Sequence, residues 1–235
     1  MAALIAFDTA TERLTVAVKG HGERIWSHEG EGGAKASAAL LPAILGLLEE
    51  AGLRLADLDA IAFGRGPGAF TGLRTACSVA QGLAFGAGKP VLPIDSLLVV
   101  AEEARAGAAA CRVWSAIDAR MAQIYAAEYE HVGGRWRTVT APLLTDCEDL
   151  ARRWQEQPPE VIAGDALRVF GARLPTFGAA LAPDARPGAV ALLALAERAW
   201  AAGAAVDPAE ALPLYVRDKV AQTTLERDAA RAERA

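Results

Sequence analysis

The feature that most constrains this chain is the run Gly64-Arg65-Gly66-Pro67-Gly68-Ala69-Phe70-Thr71-Gly72-Leu73-Arg74, set between a strand-like stretch and a helical one. Ahead of it Ala60-Ile61-Ala62-Phe63 is a short apolar run; behind it Ala76, Val79, Ala80 and Leu83 recur at helical spacing. The local order is therefore strand, glycine loop, helix. Glycines at a strand end permit positive φ and a close approach of backbone to another surface, and the next helix leaves unpaired N–H groups at its first turn. Two uses stand open for such a loop: a tight strand-to-helix turn, or a cradle for an anion or a partner's backbone.

Nucleotide fingerprints fail by count. A P-loop requires Gly-Lys-Ser/Thr after a four-residue spacer, and no lysine lies in the run. The dinucleotide pattern Gly-x-Gly-x-x-Gly fails as well, because Gly64-x-Gly66 leads to Ala69 and Gly66-x-Gly68 leads to Thr71.

With 53% hydrophobic and 23% charged residues in 235, the chain has ample material for a core in one large domain or two small ones. Its net charge of -5 argues against main contacts to a phosphate backbone, which rely on clustered Lys and Arg. Any nucleic acid is then gripped by another subunit. Cys77, Cys111 and Cys147 are odd in number, far apart and without a Cys-x-x-Cys pair, so neither a disulfide framework nor a zinc knuckle is indicated. The stretch from Met1 to Phe7 reaches Asp8 with no basic region, long apolar core or eighteen-residue span. The expectation is a cytoplasmic protein without membrane contact.

Along the chain, Leu4 to Phe7 and Leu14 to Val18 read as strands of an opening β-hairpin around Asp8-Thr9-Ala10-Thr11, and Arg24-Ile25-Trp26 adds a third strand. Gly30-Glu31-Gly32-Gly33 is a flexible joint ahead of Ser37, an N-cap for a helix over 38–50. After the helix of the glycine loop, over 71–86, Pro90-Val91-Leu92-Pro93-Ile94 forms a strand, and Asp95-Ser96 caps a helix to about Arg105. Small residues from Gly107 to Ala110 mark a boundary. The pattern then restarts with a hairpin, Val113 to Ile117 and Gln123 to Tyr129 around Asp118-Ala119-Arg120. A helix over 148–154 follows, then a strand Val161-Ile162-Ala163 ending at Gly164-Asp165, and an amphipathic segment over 190–202. Two α/β halves that each open with a hairpin predict a duplicated architecture. The expected division is 1–106, completed by 207–225, and 107–206, with a charged, alanine-rich tail over 226–235 that frays.

On the helix over 38–50, Leu40, Leu41, Ile44, Leu45, Leu47 and Leu48 cover an arc of roughly 160°, wider than the ~100° stripe one sheet requires. Either part of that arc faces a partner, or the helix is clamped between two elements of its own domain. Pro42 complicates both, since inside a helix it removes a hydrogen bond and costs about 3 kcal/mol.

These pieces together resemble the TsaB (YeaZ) family. The matching residues are Leu4-Ile5-Ala6-Phe7-Asp8-Thr9-Ala10, Gly66-Pro67-Gly68-Ala69-Phe70-Thr71-Gly72-Leu73-Arg74, Lys89-Pro90-Val91, Ile117-Asp118-Ala119-Arg120-Met121 and Pro213-Leu214-Tyr215-Val216-Arg217. They occur in family order across nearly the whole length; the family's usual serine is Ala69 here. The resemblance implies two ribonuclease-H-like α/β domains of the actin, sugar kinase and Hsp70 ATPase superfamily. It also implies the non-catalytic subunit of the bacterial tRNA threonylcarbamoyladenosine complex. That subunit pairs with a catalytic sister, TsaD, which transfers threonylcarbamoyl to the adenosine beside the anticodon, and an ATPase subunit, TsaE, completes the assembly. On this view tRNA is reached only through the complex, no cofactor or metal is held by this chain alone, ATP is used by the wider complex, and catalytic residues are absent.

One departure separates this chain from the catalytic sister, which carries His-x-x-x-His after its own Lys-Pro strand. That spacing puts two imidazoles on one helix face as metal ligands. Counting from Lys89-Pro90, those places hold Ser96 and Val100. The three histidines, His21, His28 and His131, lack that spacing and are expected at the surface.

Asp8 and Thr9 end the first strand where ATPases of this fold hold a metal-phosphate contact, so they are candidates for nucleotide binding as well as for capping the hairpin turn. Asp118 and Arg120 suit an acid–base pair or a turn with an exposed ion pair. The expected partner face comprises Leu41, Leu45 and Leu48 of one helix with Thr75, Val79, Gly82 and Gly86 of the other, open also to self-pairing as a homodimer. Gly66, Pro67, Gly68, Thr71, Gly72 and Arg74 form a structural loop. Two competitors remain: a free-standing ATPase or small-molecule kinase, whose only second phosphate loop is Ala163-Gly164-Asp165, and a metallopeptidase, disfavoured by the missing His-x-x-x-His.

Overall fold

A computed structural model describes residues 2–217. The first sheet is built from β1 (Leu4–Asp8), β2 (Arg13–Lys19), β3 (Ile25–Glu31), β4 (Ala60–Gly66) and β5 (Val91–Asp95), joined by helices α1 (Ala36–Ala51) and α2 (Phe70–Ala87). Helix α3 (Ser96–Arg105) leads to the second sheet: β6 (Cys111–Arg120), β7 (Gln123–Val132), β8 (Arg135–Thr145), β9 (Val161–Ala163) and β10 (Ala180–Ala182). Helices α4 (Cys147–Glu156) and α5 (Ala166–Phe170) flank β9, and α6 (Ala189–Ala201) follows β10.

The two sheets repeat one topology. Their orders are β3-β2-β1-β4-β5 and β10-β9-β6-β7-β8, and each pairs a three-stranded antiparallel meander with two parallel strands beside its first strand. This is the duplicated ribonuclease-H-like arrangement of the actin, sugar kinase and Hsp70 superfamily.

Alternation along β1 explains the layering. Ile5 and Phe7 point to the side where Leu40, Ile44 and Leu47 of α1 and Ala76 and Ala80 of α2 pack. Leu4 and Ala6 point to the other side, where they meet Leu192, Leu193 and Ala196 of α6. Helix α3 covers the second sheet in turn, with Leu97, Val100 and Ala101 against Val113, Ile117 and Tyr129. The two halves thus exchange helices, because α6 follows the second sheet in the chain yet buries its apolar stripe on the first. The expected unit over 107–206 therefore includes a helix that packs on the first sheet. Residues beyond 207 return to α2: Cys77 Sγ donates to the Ala211 carbonyl at 3.3 Å, and Gln81 Nε2 donates to the Pro208 and Ala211 carbonyls at 3.2 and 3.1 Å. The expected stretch 218–225 and the tail over 226–235 lie outside the described residues.

The helices are joined by a buried carboxylate. Glu102 of α3 accepts from Arg105 of its own helix, from Arg198 of α6 and from Trp136 Nε1 of β8 at 2.6 Å. Burial opposes its charge, but these donors outweigh burial and hold its pKa down at about 2.

Several local expectations are corrected. Ser37 lies inside α1, whose N-cap is Lys35, and Pro42 sits inside that helix on its exposed face, where the carbonyl it leaves unbonded can meet water. Asp95 occupies the N-cap of α3, but its carboxylate accepts from Arg65 Nε at 2.5 Å instead of capping the helix. His131 is buried, with Nδ1 3.0 Å from the Ala109 carbonyl and its ring edge-on to Trp136 at 5.0 Å. Its odd place on β7, on the face of Tyr125, Ala127 and Tyr129 and opposite Trp136 of β8, turns it inward.

Candidate functional site

The glycine run folds over the end of β1. Asp8, the last residue of β1, accepts from Ala10 N on Oδ1 at 2.5 Å and from the Ser96 hydroxyl on Oδ2 at 2.6 Å. Ser96 Oγ also accepts from Gly66 N at 3.2 Å, so one hydroxyl joins β1, the loop and α3. Burial pushes the Asp8 carboxyl above the ordinary range, against the lowering effect of these two bonds. Thr9 donates its hydroxyl to the Gly72 carbonyl at 2.8 Å. Both side chains of the nucleotide-contact candidates are therefore buried and bonded to their own chain.

Glycine is required here by contact. A Cβ at Gly64 would lie 1.7 Å from Asp8 Oδ2, at Gly72 1.8 Å from the Thr9 carbonyl oxygen, and at Gly68 2.4 Å from that of Ala10. Gly66 adopts φ +106, and Ala69 N donates to the Ala10 carbonyl at 2.7 Å. The backbone that the loop approaches is thus its own β1–β2 turn. Pro67 is buried in it and Thr71 is exposed, while the Arg74 guanidinium lies over the Phe70 ring at 3.8 Å and donates to the Tyr215 hydroxyl at 3.2 Å.

The outer faces of α1 and α2 lie side by side. Leu41 and Leu45 are exposed, as are Gly82 and Gly86, and nothing lies within 4 Å of a Cβ built on either glycine. Phe85, which the sequence reading passed over, is 63% exposed on α2 beside these glycines; its spacing from Ser78 and Gly82 is the signal that finds it. Leu48 is corrected: it is 4% exposed and packs in the core with Leu40, Ile44 and Leu47, because it falls on the sheet side of the helix. Thr75 is half-buried and donates to the Thr71 carbonyl, and Val79 is half-buried against that same core.

Between the two sheets a cavity of about 320 Å³ opens, walled by Phe70, Ile117, Asp118, Tyr125, Asp165 and Tyr215. Asp118 N donates to Asp165 Oδ1 at 2.9 Å, and Arg120 pairs with Asp118 at 3.3 Å and with Glu12 across the cleft at 2.9 Å. Arg120 is thus shared between two carboxylates as a tie between halves. In the second candidate phosphate loop, Gly164 adopts φ +114 and a Cβ there would meet the Ala116 carbonyl oxygen at 2.2 Å. Ser96 and Val100, four residues apart on α3, are respectively bonded to Asp8 and packed in the core. Among the described residues no three His, Cys, Asp or Glu side chains are grouped to hold a metal, and no helix is long and apolar enough to cross a membrane.

Two ribonuclease-H-like sheets about a central cleft, with a glycine loop sealed on the first strand, define a protein of the actin, sugar kinase and Hsp70 fold class. Comparison with known proteins narrows this. The tRNA threonylcarbamoyladenosine biosynthesis protein TsaB of Escherichia coli is 34% identical over 226 residues, 93% of this chain and 96% of that protein. Its namesake in Haemophilus influenzae is 46% identical over 123 residues, 52% of this chain and 51% of that one. The solved structure of YeaZ from Pseudomonas aeruginosa superposes with a TM-score of 0.82 at 40% identity, covering 92% of this chain and all of that one. A family model described as TsaD, tRNA N6-adenosine threonylcarbamoyltransferase, matches residues 31–175. The chain belongs to the TsaB (YeaZ) family.

Proposed function

We propose that this chain serves tRNA threonylcarbamoyladenosine biosynthesis as a non-catalytic subunit that pairs with a TsaD-like catalytic subunit through the outer face of α1 and α2. The observation that carries the reading is the exposure of Leu41 and Leu45 on α1 and of Phe85 on the adjoining α2, where Gly82 and Gly86 leave the backbone bare. Large side chains beside glycines let a partner's helix come close and still bury apolar area. The names of relatives of this family support the pathway, and the saturated Asp8 and Thr9 support a scaffold in place of a phosphate-handling enzyme.

A TsaE-like ATPase completes the assembly, which works on cytoplasmic tRNA. The net charge of -5 supports a grip on tRNA by the other subunits; in this reading ATP is used by the complex and this chain alone holds neither nucleotide nor metal. The test is co-purification with a TsaD-like protein, then a threonylcarbamoyl-transfer assay with and without this chain. Transfer that requires the chain, together with no phosphate release from ATP by the chain alone, is expected. Transfer at full rate without it overturns the proposal, and turnover of ATP that vanishes in Asp8→Ala revives the kinase reading.

A further inference from the structure

We propose that residues 212–217 form a strap that couples the α1–α2 face to the tip of the β6–β7 hairpin, so that docking of the partner fixes the geometry of the cleft. The inference rests on the partner surface assigned above. It begins from the backbone of that tip. Arg120, Met121 and Ala122 have φ of 63°, 55° and 57°, three consecutive non-glycine residues in the left-handed region. L-residues disfavour that region, and such a run persists only where outside contacts determine it.

Two of those contacts are visible. Arg120 is drawn to Glu12 of the first sheet's hairpin turn. Arg217 reaches the tip from the other side, donating through Nη2 to the Ala119 carbonyl at 2.9 Å and through Nη1 to Met121 Sδ at 3.1 Å. Met121 itself stands 69% exposed at the cleft. Its side chain is not buried in a way that would fix the turn, so these outer bonds hold the tip together with its own bond from Arg120 N to Asp118 Oδ1 at 2.8 Å.

The other end of the strap is fastened to the docking helix. Leu214 N donates to the Arg65 carbonyl in the glycine run at 2.7 Å. The Tyr215 ring sits 4.9 Å from that of Phe70, the first residue of α2, and its hydroxyl accepts from Arg74 one turn on. Two residues of extended chain, about 6–7 Å, separate Tyr215 from Arg217. A shift of α2 at Phe70 and Arg74 is thus carried directly to the guanidinium that holds the tip. Leu212, next to the Ala211 carbonyl that takes bonds from Cys77 and Gln81, is 67% exposed along the flank of α2. A partner that covers a standard face of about 800 Å² centred on Phe85 and Gly82 extends onto this flank.

Coupling of this kind is reciprocal in binding free energy, so whatever fixes the tip also favours pairing. The experiment is hydrogen exchange by mass spectrometry on peptides covering 117–124, for the full chain alone and paired with a TsaD-like subunit. We expect exchange there to slow several-fold on pairing, and the slowing to vanish in Arg217→Ala and in Tyr215→Ala while both variants still pair. Pairing of the wild type with no change over 117–124, or an undiminished change in both variants, overturns the strap alone. Failure of the wild type to pair overturns the partner surface itself and the strap with it.

Discussion

The Ser96 hydroxyl donates to Asp8 Oδ2 across 2.6 Å, joining the first residue of α3 to the last residue of β1. Asp8→Ala removes the acceptor and leaves that hydroxyl and Ala10 N without their partner in a buried place, a loss of about 1–3 kcal/mol. Asp8→Asn keeps an acceptor and adds a donor, so its cost at neutral pH is smaller. Because burial raises the folded-state pKa of Asp8, its contribution to stability is fully present below the unfolded pKa and is lost as pH rises through the folded value. Thermal melts across pH are expected to show Asp8→Asn gaining on the wild type as pH rises. A constant gap would mean that Asp8 does not titrate differently in the folded state.

Glu102 gives the opposite sign. Its pKa is held at about 2 by Arg105, Arg198 and Trp136, so its stabilisation is present above the unfolded pKa and is lost as pH falls through about 2. Glu102→Gln is expected to flatten the acid limb of the stability curve below pH 4.5 and to lower stability at pH 7, since charge-assisted bonds between α3 and α6 are replaced by neutral ones. Urea melts of both proteins at pH 3 and pH 7 check this; equal losses at the two pH values would refute the linkage.

Much of this architecture is written in the residues, and the exceptions have physical causes. Runs such as Leu4 to Phe7 and Ala60 to Phe63 lie buried on both faces of a sheet and declare themselves as strands. The third strand of the second meander, β8, is half-exposed along most of its length and carries Arg135, Arg137 and Pro142, so no alternation marks it. Exchange of α3 and α6 between sheets leaves no local trace, because an apolar stripe does not say which sheet it will cover. The direction of Leu48 was open for a related reason: a leucine-rich arc fixes that a helix is buried but not which of its edges stays wet. The bonds of Ser96 and Arg217 span 88 and 98 residues, and only the fold brings those pairs together.

The glycines of α2 and its loop divide into two kinds, which three substitutions separate. Gly72→Ala places a methyl 1.8 Å from the Thr9 carbonyl oxygen, and Gly68→Val meets the Ala10 backbone at 2.4 Å, so each is expected to cost about 3 kcal/mol or more. Gly82→Ala meets nothing within 4 Å in an exposed helix and is expected to raise stability by about 1 kcal/mol through helix propensity. Melting temperatures of the three variants decide this, and a stable Gly72→Ala would show that the loop can lift off β1.

On α1 and α2, buried and exposed side chains are expected to fail in different ways when charged. Leu48→Glu puts a carboxylate among Leu40, Ile44 and Leu47 and unfolds the chain, since an unpaired buried charge has no acceptable place there. Leu41→Glu and Phe85→Glu lie on the wet side, so the free proteins should melt within about 0.5 kcal/mol of the wild type. Anchors at the centre of an interface cost about 2 kcal/mol or more when removed, which is a loss of roughly thirtyfold in affinity at 1.4 kcal/mol per tenfold. Size-exclusion chromatography and titration against a TsaD-like subunit read the pairing, and melting reads the fold. If Leu41→Glu and Phe85→Glu are both folded and both pair at wild-type affinity, the partner face lies elsewhere on the molecule, whatever Leu48→Glu does.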